Sequence, residues 1–108
     1  MDAVTDEEFE EMIVRAIDRL PEQFQEVINE VPVVISDQGR ETRAYGLYRG
    51  DGIARDNFPD QIIIFKDTLT RDFGHDRELL AAQVERTVRH ELGHHLGYDE
   101  GGVQDLGL

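Results

Sequence analysis

His90, Glu91 and His94 are the residues of this chain whose types and spacing could do chemistry together. They stand in the run His90-Glu91-Leu92-Gly93-His94. On a helix, residues four apart project from one face, so the two imidazoles can hold one metal ion. Glu91 falls beside them and can polarise a water on that ion. The frame extends further, because Gly97 stands three residues past His94 and Glu100 three residues past Gly97. This is the spacing HExxHxxGxx followed by a ligand, in which a glycine ends the helix and a third ligand swings back. The last position of that frame is usually His; here it is Glu100, with Asp99 just before it.

Zinc is the expected ion. It takes nitrogen and oxygen ligands in near-tetrahedral geometry, and a catalytic site offers three protein ligands and leaves a place for water. His90 and His94 supply two. Glu100 is the first choice for the third, and Asp99 is its rival. There is no Cys, so thiolate zinc sites and disulfides are excluded. Glu91 is predicted to act as general base and then as proton donor to a leaving amine, with the metal as Lewis acid on a scissile carbonyl. Tyr98 is a candidate oxyanion donor by proximity only. His95 falls off the ligand face and is expected to pack or face solvent. His75, beside Asp76, suits a cap or surface role, and Asp105 a solvated tail. A lone HExxH fixes only three positions, so its weight here comes from the helix around it and the glycine in frame.

The elements that must position these residues are legible as periodicities. From about Asp76 to Leu96 the chain predicts one long helix, with Leu80, Val84, Val88, Leu92 and Leu96 recurring every four residues as its core stripe. His90 and His94 fall roughly opposite Leu92, and Gly97 supplies a left-handed stop. Upstream, Thr5 or Asp6 can cap a first helix carrying Phe9, Met12, Ile13, Ala16, Ile17 and Leu20. Phe24, Val27, Ile28 and Val31 continue into a second helix, with Pro21 in its first turn. Val31–Ile35 predicts a short strand, Ser36–Arg40 a turn, and Thr42–Tyr48 a second strand. Gln61–Phe65, rich in β-branched residues, predicts the strongest strand, and Thr68–Phe73 a short helix or turn. The class is α+β.

The chain has 108 residues, 39% of them hydrophobic, which predicts one domain over 1–108 with a small core. Its formal charge is −13, from 24 acidic and 11 basic residues. That balance disfavours a nucleic-acid partner, which needs a basic face, and electrostatic docking on anionic lipid. It favours attraction of cations, metal ions and basic peptides among them. The acidic start, Met1 to Glu8, has no apolar signal core, and no apolar run approaches the ~20 residues that span a bilayer, so the expectation is a cytoplasmic protein. The sequence stops eight residues after Glu100. A site there is expected to be shallow on that side, with one wall missing or supplied by a partner protein.

The segment Thr87-Val88-Arg89-His90-Glu91-Leu92-Gly93-His94-His95-Leu96-Gly97-Tyr98-Asp99-Glu100 resembles the signature of the small bacterial zincin-like metallopeptidases. Val31–Ile35, Gly46–Gly50 and Asp60–Thr68 resemble the strands of that family, so the likeness covers most of the chain. It implies a minimal zincin fold: N-terminal helices, a small three- to four-stranded mixed sheet, and a long C-terminal zinc-binding helix. It also implies that only His94 of the doubled histidine is a ligand, and that the third ligand is acidic, often Asp. Larger relatives place a methionine turn after the motif; here Met1 and Met12 both precede it.

Two further expectations concern partners. An extended peptide or protein substrate would pair with Gln61–Phe65 if that strand lies at a sheet edge; the rival is that it is central and fully paired. Against a peptidase stands a metal- or peptide-binding zincin-like module without turnover. Leu96-Gly97-Tyr98-Asp99 is also similar to part of the ribosomal-RNA maturation endoribonucleases, but those carry Gly at the place of Glu91 and His at the place of Glu100.

Overall fold

The structure is a computed structural model that describes residues 3–50 and 60–97. Two helices open it, α1 (Asp6–Asp18) and α2 (Glu22–Glu30). Thr5 caps α1 in a reciprocal box, its hydroxyl accepting from Glu8 N at 3.1 Å while Glu8 Oε1 accepts from Thr5 N at 3.3 Å. The acidic first turn also reaches across the fold, Asp6 to Lys66 at 2.6 Å and Glu8 to Arg77 at 2.9 Å. Pro21 is the N-cap of α2, one position ahead of the expected first turn.

Three strands follow: β1 (Val33–Ser36), β2 (Gly46–Arg49) and β3 (Gln61–Phe65). Their order in the sheet is β1-β3-β2. β3 pairs in parallel with β1, from Val33 opposite Ile62 to Ser36 opposite Phe65, and antiparallel with β2, from Gly46 opposite Ile64 to Arg49 opposite Gln61. Among the described residues the sheet is therefore mixed and three-stranded. Gln61–Phe65 is the central strand, with its backbone paired on both sides, and this overturns its expectation as an edge platform. The strand's composition had already favoured burial: Ile62, Ile63, Ile64 and Phe65 are all buried.

Between β1 and β2 the chain forms a short helix, α3 (Gly39–Thr42), where a turn and an earlier strand start were expected. Asp67 explains it. Its carboxylate accepts from Gly39 N at 2.9 Å and Arg40 N at 3.0 Å, satisfying the first donors of α3 from 28 and 27 residues away in sequence. Arg43, with φ 58° and ψ 45°, ends that helix, so extended backbone begins only at Gly46.

α4 (Lys66–Phe73) leads into α5 (Arg77–His95), capped by Asp76, which accepts from Glu78 N and Leu79 N. Leu80, Val84, Val88 and Leu92 are fully buried and join Phe9, Ile13, Ile62, Ile64 and Leu69 in one core. Each such side chain contributes about 1.5–3 kcal/mol by leaving water. α5 packs against α1 and α4 and lies beside β2 and β3, and so presents one flank to β2. This is the α+β arrangement of a small mixed sheet with a long C-terminal helix. No described helix is long and apolar enough to cross a membrane.

Candidate metal centre

His90 and His94 lie one turn apart on the flank of α5 that faces β2. Their Nε2 atoms are 3.2 Å apart, and the rings meet edge to face with centroids 4.8 Å apart and planes at 79°. In tetrahedral zinc sites the metal–nitrogen distance is about 2.0–2.1 Å, which sets two bound nitrogens about 3.3 Å from one another. The separation of the two nitrogens thus matches that of two ligands on one zinc ion. Both rings are half-buried, Leu92 and Val88 being fully buried in the core on the other side of the helix. Gly97 follows with φ 89°, the left-handed stop expected from the sequence.

Glu91 is 7% exposed, yet it lines the same open cleft as the two histidines. Gly46 of β2 explains how a buried carboxylate side chain fits there. A Cβ at Gly46 would come within 2.5 Å of Thr87 Cγ2 and 3.2 Å of Glu91 Cγ. The strand backbone therefore rests directly on the turn of α5 that carries Glu91, and only glycine permits that approach.

The cleft has a volume of about 800 Å³, with β2 along one side and α5 along the other. At one end Tyr48, His95 and Asp60 converge. The Tyr48 hydroxyl donates to Asp60 Oδ2 at 2.8 Å, and His95 Nδ1 lies 3.1 Å from the same hydroxyl. A hydroxyl has one proton to give, so with it given to Asp60 the imidazole is the donor of the second bond. His95 is thus a packing histidine with a defined task, tying the end of α5 to β2. Tyr45 borders the cleft as well, its hydroxyl donating to Asp72 Oδ2 at 2.6 Å. Arg71 and Tyr45 together hold the Asp72 carboxyl down at about 2, and the same contact with Asp72 raises the Tyr45 phenol.

Of the residues singled out from sequence, the described structure brings together His90, Glu91 and His94. Asp99 and Glu100, the candidate third ligands, lie outside the described residues, as do Tyr98 and Asp105. Among the described residues no group of three or more His, Asp or Glu side chains is assembled to hold a metal. His75 is exposed, ahead of the Asp76 cap. The β2 wall was missed in the sequence reading. A glycine inside an otherwise bulky strand, Gly46 ahead of Leu47 and Tyr48, was the available signal of a close backbone approach.

Residues 25–108 match the family described as zincin-like metallopeptidase. No curated protein matches the chain.

Proposed function

The chain belongs to the zincin-like metallopeptidases, and from that premise we propose that it is a zinc-dependent peptidase whose site is built on His90, Glu91 and His94. The observation that carries this reading is the 3.2 Å separation of the two Nε2 atoms beside Glu91, in one cleft. His90 and His94 would hold one zinc ion, with Glu100 as third ligand and Asp99 as its rival. When bound, zinc supplies Lewis acidity toward a carbonyl and makes water more acidic.

The remaining work falls to the chain's own groups. Glu91, enclosed between α5 and β2, accepts the proton of the water that attacks the scissile carbonyl and returns it to the departing amine. Carbon–oxygen bond formation and carbon–nitrogen bond cleavage are thus balanced by one proton that passes through Glu91. The peptide itself would lie extended along β2. Its partner β3 covers one side of that strand, and its other side borders the cleft. The pairing of β3 on both sides supports β2 as the platform in place of Gln61–Phe65. The substrate is a peptide or protein, and a partner protein that closes the cleft on the side of Gly97 is part of the proposal.

Glu91→Gln is the test. It keeps the size of the side chain and both histidines but cannot take a proton. Peptide hydrolysis, assayed on a mixed peptide library with zinc added, is expected to fall by about 10²–10⁴-fold while zinc affinity stays near that of the wild type. A wild-type protein that binds zinc and cleaves no peptide would favour the module without turnover.

A further inference from the structure

Arg86 and Gln83 continue the cleft face of α5 one and two turns ahead of His90, and both line the cleft. Four residues of helix rise about 6 Å, the span of about two residues of an extended peptide. Arg86 is exposed, and among the described residues its guanidinium has neither an ion pair nor a hydrogen bond. Four other described arginines are ion-paired: Arg19 and Arg89 with Glu85, Arg71 with Asp72, and Arg77 with Glu8.

The described lining of the cleft is less acidic than the chain as a whole. The whole sequence carries 24 acidic residues to 11 basic ones. Among the described residues that line the cleft, Glu91 is the one carboxylate and Arg86 the one permanent cation. The carboxylates at its edges are occupied, Asp60 by Tyr48 and Asp72 by Tyr45 and Arg71. A metal ion between His90 and His94 would add positive charge to this lining, offset in part by the carboxylate of Glu100 or Asp99 proposed to hold it. Resting on the peptidase reading above, we propose that Arg86, with the Gln83 amide beside it, is a carboxylate-binding subsite. The substrates of this site are then peptides that present a carboxylate about two residues from the cleaved bond. That carboxylate is either an Asp or Glu side chain or a free C-terminus.

The formal charge of −13 opposes the approach of such a peptide. That field is screened beyond about 8 Å at physiological ionic strength, whereas an arginine–carboxylate pair forms at contact and is frequently bidentate. The contact term decides affinity inside the cleft.

The experiment separates binding from turnover by using the zinc-saturated Glu91→Gln protein. Three matched hexapeptide mixtures are titrated calorimetrically: one with a fixed Glu and an amidated C-terminus, one with Gln in place of that Glu, and one with that Gln and a free C-terminal carboxylate. Tighter binding of the first mixture by about tenfold, lost on adding Arg86→Gln, supports the subsite with a side-chain carboxylate as its ligand. The same pattern for the third mixture supports it with a chain terminus as its ligand. Equal binding of all three, no binding of any, or a preference that survives Arg86→Gln overturns it. Hydrolysis by the wild type is measured separately. Peptide cleavage without carboxylate preference would leave the peptidase reading standing and the subsite refuted. Carboxylate-selective binding without cleavage would do the reverse.

Discussion

At the scale of single residues, the site depends on one glycine as much as on its histidines. Gly46 lets the β2 backbone settle on Thr87 and Glu91, and any side chain there must displace one of them. Gly46→Ala is expected to cost about 1–3 kcal/mol by denaturant unfolding, the range for overpacking a closed contact, and to reduce hydrolysis by moving Glu91 or the strand. Thr87→Ser removes the Cγ2 that the new methyl would meet, while its hydroxyl can still donate to the Gln83 carbonyl, a bond of 2.7 Å in the wild type. The double variant should therefore recover most of the lost stability, a coupling that additive single effects would not give. That His90, Glu91 and His94 would share one cleft could be anticipated at this scale, because it follows from their spacing on a helix. The role of Gly46 could not, since what it touches lies across the fold.

At the scale of elements, the long-range clamp on α3 makes a separate prediction. Burial alone would raise the Asp67 carboxyl, but the N–H groups of Arg40 and Gly39, together with those of Thr68 and Asp67 itself, outweigh it and hold the carboxyl below its ordinary 3.8. The unfolded chain then binds the proton more readily than the folded one. The stabilisation is complete above that ordinary value and is lost as pH falls through the lowered one. Asp67→Ala should cost roughly 1–3 kcal/mol at neutral pH, because it leaves donors of α3 without their acceptor. It should also flatten the acid limb of a stability-against-pH curve measured by chemical denaturation. An acid limb identical to that of the wild type would show that the clamp contributes nothing. The helices α1, α2 and α5 could be traced from periodicity, since each buries a stripe of side chains recurring every three or four residues. The short α3 and the late start of β2 could not, because both are set by Asp67, Arg43 and Gly46 acting on backbone geometry. The position of β3 in the sheet was likewise out of reach: its sequence announces burial, but pairing order is a property of the assembled strands.

At the scale of the whole molecule, one core carries both the fold and the helix that bears the histidine pair. Leu92 is fully buried on the turn that holds Glu91 and His94, so Leu92→Ala should cost about 2–5 kcal/mol. A ligand that binds only the folded chain returns stability by mass action, about 2.7 kcal/mol at a hundredfold excess over its Kd. Zinc is therefore expected to raise the Tm of the wild type and of Leu92→Ala alike, and to leave that of the double variant His90→Ala, His94→Ala unchanged. The α+β class and its long terminal helix could be anticipated from sequence because the apolar pattern and the metal motif fall on the same segment. The cleft could not, as it exists only once β2 lies against α5. The most direct test of the account is a calorimetric titration of zinc into chelator-treated protein, for the wild type, Glu100→Ala and Asp99→Ala. One ion per chain is expected, with affinity weakened mainly by Glu100→Ala. A wild-type chain that stays folded and takes up no zinc would contradict it.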